Sequence, residues 1–299
     1  MVLLKDSYWC RQCSESGGTI KYLMGRRHMT YQDASDYLNL NRGISHTVQQ
    51  PSPKRKNVKK KRWYPSAMEF VERCNRFLLR DQVLLKQILQ RRGINKKTLK
   101  RFKLGWNPHD QFVDRKGWGL PKKLKKDGSG TKLCLPAGLV IPYCSGRKVK
   151  RVRIRREHNT EKYGKYHLVG EITADPLVIR SDKAPDAPTF ITEGELDAIL
   201  LAQEVTEAKI VGLQSTTISI DPDTKLFEEL SQAEWIALVV DNDEAGKILA
   251  EKLMEMFPQA VYTPVTEQAG KDITEAYLNG LDLLFFSECV CAYIMSGKN

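Results

Sequence analysis

The chain has 299 residues, 41% of them apolar, and a formal charge of +12 with a pI near 9.3. That length and apolar content exclude disorder over most of the chain and allow two or three domains around a sizeable core. The charge excess suits a polyanion, nucleic acid before anionic membrane: no apolar run is long enough to span a bilayer, and residues 1–24 lack the basic-then-apolar order of a signal peptide, so a cytoplasmic location is expected.

Residues 1–45 read as one small module. Tyr8 and Trp9 lead into a Cys10-x-x-Cys13 knuckle. A Gly17–Gly18 turn follows, and Ile20, Leu23 and Met24 fall at helical spacing before a second short helix with Ala34, Tyr37 and Leu38. The chain's seven cysteines, an odd number without framework spacing, fit reduced thiols or metal ligation rather than disulfides. Residues 46–65, rich in proline and lysine with little to bury, are expected to be a basic linker: either a solvated tether or a segment that holds a phosphate backbone.

Residues 66–185 are expected to form a basic α+β subdomain. From Ala67 to Pro108 apolar side chains recur three and four apart, broken by Gly93 and closed by Gly105, which predicts helices. Residues 109–131 are basic and glycine-bearing and read as loops. "LVIPY" and "KVKRVRIRRE" predict a hairpin around Ser145 and Gly146, although Val149, Val152 and Ile154 alternate with the cations only roughly. Lys150, Arg151, Arg153 and Arg155 then make a strand face that is either solvated or in contact with phosphates, and so many cations with few acids favour phosphate. Trp63, Tyr64 and Trp118 are candidates to stack on bases, whereas Trp106 ends an apolar helical run and is expected to pack.

From Thr189 the rhythm becomes α/β. Strands "TFIT", "KIVGL", "WIALVV" and "AVYTPV" alternate with helices "ELDAILLAQEV", "TKLFEELSQ" and "DEAGKILAEKLMEMF", which predicts a parallel sheet flanked by helices over residues 186–283 and a tail at 284–299. Glu193 directly follows one strand, and Asp241 and Asp243 directly follow another. Open parallel sheets hold ligands at that edge. If the strands are neighbours the three acids converge, with Asp197 one helical turn beyond Glu193 on the same edge. Gathered carboxylates repel unless a cation neutralises them, and hard oxygen donors with few histidines select Mg²⁺ or Mn²⁺. Alone, each acid has a plainer role: Glu195 favours a helix N-terminus, and a single Asp after a strand often caps a helix or makes a turn.

These same residues carry a resemblance. "ITEGELDAI" followed by "LVVDNDEAG" is similar to the Toprim fold shared by DnaG-type bacterial primases, topoisomerases and some nucleases. "VGLQSTT" and "AGKDITEAYLNG" resemble the glycine-threonine and Gly-Lys-Asp segments of the primases. "RRGINKKTLKRFKLGWNP" resembles their helix pair, "LVIPYCSGRKVKRVRIRRE" their hairpin and "KYGKYHL" their lysine-tyrosine segment, while residues 8–40 resemble the second half of their zinc ribbon. The resemblance implies a Toprim catalytic domain behind a basic α+β subdomain and a partial zinc ribbon. By position it implies that Glu193, Asp241 and Asp243 bind Mg²⁺ or Mn²⁺, that Glu193 is also a candidate general base, and that Asp197 and Asp272 support them. Arg92, Arg155, Lys165 and Lys271, with the cations of the hairpin, would face nucleotide and template. The implied activity is synthesis of a short RNA primer from ribonucleoside triphosphates on single-stranded DNA, beside a replicative helicase acting in trans.

Two features depart from that pattern. Cys10 and Cys13 are half of a zinc set, and two thiolates do not close a structural site. Either coding sequence lies upstream, or a distant group such as His28 or Cys74 completes the site, or zinc has been lost. Thr274 stands in "KDITE" where a second Asp is expected. No phosphate-binding Gly-x-x-x-x-Gly-Lys-[Ser/Thr] occurs, which argues against a helicase motor in this chain, and Cys289 and Cys291 read as apolar filling. The short ends point to a phage, plasmid or mobile-element primase. The competing readings are a Toprim nuclease and a single-stranded-DNA-binding accessory with weakened catalysis.

Overall fold

The computed structural model describes residues 2–4, 7–9, 16–18, 23, 60–146, 148–157, 164–171, 176–180, 187–214, 220 and 224–296. The chain divides into two units, Met1–Lys56 and Asn57–Asn299, with the break inside the expected linker. In the first unit β1 (Val2–Leu4), β2 (Ser7–Trp9) and β3 (Ser16–Gly18) form an antiparallel sheet. Gly17 and Gly18 are therefore strand residues, not the expected turn. Cys10, Cys13 and His28 lie outside the described residues.

In the second unit, helix α1 (Lys60–Arg80) takes in residues that composition alone assigns to the linker. Trp63 supplies the reason. Its ring is 2% exposed, packs 5.5 Å from that of Trp118, and donates its indole N–H to the Val149 carbonyl at 2.9 Å. Ala67, Phe70, Val71, Cys74 and Leu78 continue the buried stripe. Trp63 and Trp118 are thus core residues and not platforms for bases. Cys74 is buried too, and burial pushes its thiol up to about 12, which makes it a poor metal ligand.

Helix α2 (Gln82–Arg92) starts where the Asp81 side chain accepts the Leu84 N–H at 3.0 Å. It stops at Gly93, whose φ of 63° lies in the left-handed region and where a Cβ would also strike the Tyr277 ring. Helix α3 (Lys96–Arg101) follows, capped by Asn95. A sheet of order β4-β7-β8-β9 comes next, from β4 (Gly105–Asn107), β7 (Gly138–Ser145), β8 (Lys148–Arg155) and β9 (Tyr166–Leu168); β5 (Gln111–Val113) pairs separately with β6 (Leu133–Leu135).

The imperfect alternation of β8 has a structural cause. Tyr143 pairs with Arg151 but Cys144 pairs with Val149, so Lys150 is an extra residue in a β-bulge. The bulge lets Val149 share the buried face of Val152 and Ile154 under α1, and it leaves Arg151, Arg153 and Arg155 together on the other face.

The α/β sheet has the order β10-β12-β11-β13-β14, from β10 (Leu177–Ile179), β11 (Thr189–Thr192), β12 (Lys209–Gly212), β13 (Ile236–Val239) and β14 (Ala260–Tyr262). All pairs are parallel except β10–β12, so an edge strand from the stretch assigned to the preceding subdomain completes this sheet. Helices α4 (Glu195–Glu204), α5 (Lys225–Ser231), α6 (Glu244–Met256) and α7 (Ile273–Leu278) surround it. Phe190, Ile210, Ala237 and Val239 face one core with α4, while Ile191, Val211, Ile236 and Leu238 face another with α6. Burial on both faces explains the unbroken apolar runs, and full burial of a side chain such as Phe190 contributes about 2–3 kcal/mol.

Residues expected as a tail form helix α8 (Leu283–Ser296), which buries Leu283, Val290 and Ile294. Cys291 packs partly on that core and Cys289 is exposed. Among the described residues no helix is long and apolar enough to cross a membrane.

Candidate active site

β11 and β13 are hydrogen-bonded neighbours with Thr192 opposite Val239, so Glu193 and Asp241 leave the sheet at the same edge. Two glycines let the following helices start hard against that edge. A Cβ at Gly194 would meet the Asp197 carboxylate, and one at Gly246 would run into the Asp241 carbonyl. Asp243 caps α6 by accepting the Gly246 N–H at 2.9 Å, and Asp272 caps α7 by accepting the Glu275 N–H at 2.7 Å.

A cavity of about 440 Å³ opens at this edge. Its wall includes Glu193, Asp197, Asp241 and Asp272, and also Arg92, Arg153, Arg155, Lys165 and Lys271. The cations come from the end of α2, from β8, from the residue before β9 and from the loop before α7. Asp243 is not in the wall, although its charge reaches Glu193. Lys150 and Arg151 are not in the wall either. Lys150 lies with Lys148 over the Tyr64 ring, each 5.7 Å from its centre.

Arg151 corrects the expectation of a phosphate-binding strand face. Its side chain is fully buried and ion-paired with Glu195, which also takes Arg153 Nη1 at 2.8 Å. Glu195 is itself 3% exposed, so its role exceeds favouring a helix N-terminus. Of the cations on β8, Arg155 and Arg153 line the cavity, Arg153 with both terminal nitrogens already engaged by Glu195 and the Gln214 carbonyl.

Burial raises the pKa of Asp241 to about 7, and Glu193, Asp197, Asp272 and Asp243 push in the same direction. Glu193 is raised by burial and then by Asp243 and Asp197, with Lys165 opposing. Asp197 is raised by burial, against the hydroxyl it accepts from Thr274 at 2.6 Å. Lys165 is lowered by burial and by Arg155, Lys271 and Arg92, and Arg92 by burial and Arg155. Each wall thus strains against its own charge, and each would be relieved by a ligand of opposite sign.

The acidic wall fits a hard divalent cation. All its donors are carboxylate oxygens, and Glu193 Oε2 is buried without a hydrogen-bond partner. Among the described residues no three acids, histidines or cysteines form a closed metal cage. An ion here would rest on one or two carboxylates and complete its shell with water and substrate oxygens, as Mg²⁺ does. No such donor set answers for zinc among the described residues.

Arg91, Tyr166, Gln214 and Thr274 also line the cavity without having been picked as binding residues from sequence. Arg91 adjoins Arg92, and Tyr166 lies in the lysine-tyrosine segment, so both had a local signal. Gln214 had none.

Residues 190–277 match the family described as Toprim-like. Those residues form a Toprim-like domain. Among solved structures, the zinc-binding and RNA polymerase domains of Aquifex aeolicus primase are similar at a TM-score of 0.53 and 17% identity, over 98% of this chain and 73% of that one. The whole therefore has the fold of a DnaG-type primase. The RNA polymerase domain of Mycobacterium tuberculosis primase DnaG is similar over 78% of this chain and 80% of that one, at 18% identity and a TM-score of 0.49. The primase fragment of the bacteriophage T7 primase-helicase protein is similar over 66% and 72%, at 20% identity and a TM-score of 0.44. No curated protein sequence matches the chain.

Proposed function

We propose that the protein is a primase core that joins ribonucleotides on a single-stranded DNA template by metal-dependent nucleotidyl transfer. One observation carries the reading: four carboxylates and a set of arginines and lysines line one cavity at the carboxyl edge of the parallel sheet. Arg92, Arg155, Lys165 and Lys271 hold the triphosphate and the template backbone and offset the charge of the departing pyrophosphate. Glu193 and Asp241 hold Mg²⁺ or Mn²⁺, with Asp243, Asp197 and Asp272 behind them. When bound, the ion supplies stabilisation of the oxygens that attack and leave. Glu193 is also the candidate to take the proton of the attacking 3′-hydroxyl, through the carboxylate oxygen that is not on the ion. Single-stranded DNA, ribonucleoside triphosphates, a helicase acting in trans and a cytoplasmic location go with this reading.

The test is incorporation of labelled ribonucleotides on a mixed single-stranded template, each nucleotide omitted in turn and Mg²⁺ exchanged for Mn²⁺. Template-dependent products that vanish in Asp241→Asn are expected. Degradation of the template without nucleotides would replace this reading with a nuclease. Salt-sensitive binding without incorporation would leave a DNA-binding accessory.

A further inference from the structure

We propose that Arg151, Arg153 and Glu195 form a clamp that positions the Glu193–Gly194 turn against β8, and so sets the gap between the acid that holds the ion and the cation Arg155. The proposal rests on the reading of Glu193 given above.

Arg151 and Arg153 lie 44 and 42 positions before Glu195 in sequence, and all three are buried. Each Glu195 oxygen takes one guanidinium, Oε1 from Arg151 and Oε2 from Arg153 at 2.8 Å. Arg153 Nη2 also donates to the Gln214 carbonyl at 3.0 Å, just beyond β12. From the other side the turn is seated on β12, where a Cβ at Gly212 would collide with Ala198 and crowd the Glu195 backbone. The turn is therefore fixed by a charged contact with β8 and by close packing on β12.

Sequence distance makes this contact informative for the site. Glu195 is two residues from Glu193, and Arg153 is two residues from Arg155 on the same strand face, about 6.6 Å along the strand. The clamp thus joins the two walls one step from each working group. Its charge is also unbalanced. Two cations share one anion, and Arg151 Nε and Nη1 are buried without partners. An ion pair kept for stability alone is commonly matched or bettered by apolar residues. Here the surplus charge borders a wall of acids, since Arg153 lines the cavity with Glu193 and Asp241. Tyr166 completes the seat: its ring lies 4.3 Å from the Arg153 guanidinium carbon.

The test uses Glu195→Asp, which keeps the charge but cannot span both arginines, and the Arg151→Lys/Arg153→Lys double variant, which keeps the charges but loses the fork geometry. Hydrogen exchange without metal reads the clamp itself. Faster exchange of the Gly194–Asp197 amides is expected, with the amides of β11 and β13 unchanged. Mn²⁺ titration followed by electron paramagnetic resonance reads the consequence, and affinity about tenfold weaker is expected. Binding of single-stranded DNA by Glu195→Asp should stay within about twofold of the wild type, because that variant leaves every cation of the cavity in place. Unchanged exchange at the turn overturns the clamp. Faster exchange with wild-type Mn²⁺ affinity overturns positioning and leaves a purely structural pair. If the turn loosens but the wild-type protein binds no Mn²⁺, the metal reading of Glu193 fails and the clamp stands as a conformational contact.

Discussion

Thr274 donates its hydroxyl to Asp197 Oδ1 at 2.6 Å, joining the first turn of α7 to the first turn of α4 across the acidic wall. An aspartate in place of Thr274 would set two carboxylates at hydrogen-bond distance in a buried place, so the departure from the primase pattern relieves a repulsion. Thr274→Val leaves the half-buried Asp197 without its donor. A loss of about 1–3 kcal/mol is expected in urea unfolding, and Thr274→Ser should recover most of it.

Asp241 makes stability depend on pH. Its folded pKa, about 7, lies above its ordinary value of 3.8, so folding takes up a proton between them. Stability is then fullest below about pH 4 as far as this group is concerned, and it falls as pH rises through 7. Without metal, the melting temperature should fall from pH 5 to pH 8. Asp241→Asn should flatten that fall, gaining about 1–2 kcal/mol at pH 8 after solvent screening is allowed for, while primer synthesis is lost. Added Mg²⁺ should stabilise the wild type more at pH 8 than at pH 5, and an equal effect at both would contradict the shift.

Gly93 holds Arg92 at the cavity by ending α2 in a left-handed conformation beneath the Tyr277 ring. The turn is tied to α4 as well, since Gln203 donates to the Gly93 carbonyl at 3.0 Å and accepts the Asn95 N–H at 2.7 Å. Gly93→Ala should cost about 1–3 kcal/mol in denaturant and raise KM for nucleotides more than it lowers kcat.

Glu229, on the far side of the sheet's chemistry, serves as a control. Burial opposes its ionisation, but Lys209 at 2.9 Å and Arg180 at 2.7 Å outweigh it and bring its pKa down to about 2. Its contribution is present above pH 4.5 and lost as pH falls towards 2. Glu229→Gln should lower stability at pH 7 by about 0.5–1 kcal/mol, with little difference left at pH 2 and primer synthesis unaltered.

The elements of the Toprim-like domain were legible because its central strands β11, β12 and β13 are covered on both faces and because α5, α6 and α7 are capped by Thr224, Asp243 and Asp272 beside apolar runs. "TFIT" and "WIALVV" end within a residue of β11 and β13. The placement of Glu193 and Asp241 at one edge needed only that those strands be neighbours, and they are. The basic half was harder to read. Trp63 sits among lysines, and nothing nearby in sequence says that Trp118, far along the chain, waits to cover it. The bulge at Lys150 shifts one face of β8 relative to a plain alternation, and a bulge has no fixed sequence signal.

What the sequence settled by itself was local: which residues turn together, where apolar runs stop, and which acids stand at the stops. Whether a charged side chain meets water or protein was decided only by the tertiary structure. Arg151 and Arg155 belong to one strand and one face, yet one is sealed against Glu195 and the other lines a cavity. The difference is a counter-charge brought from 44 residues away, and burial of an ion is tolerable only where such a partner arrives.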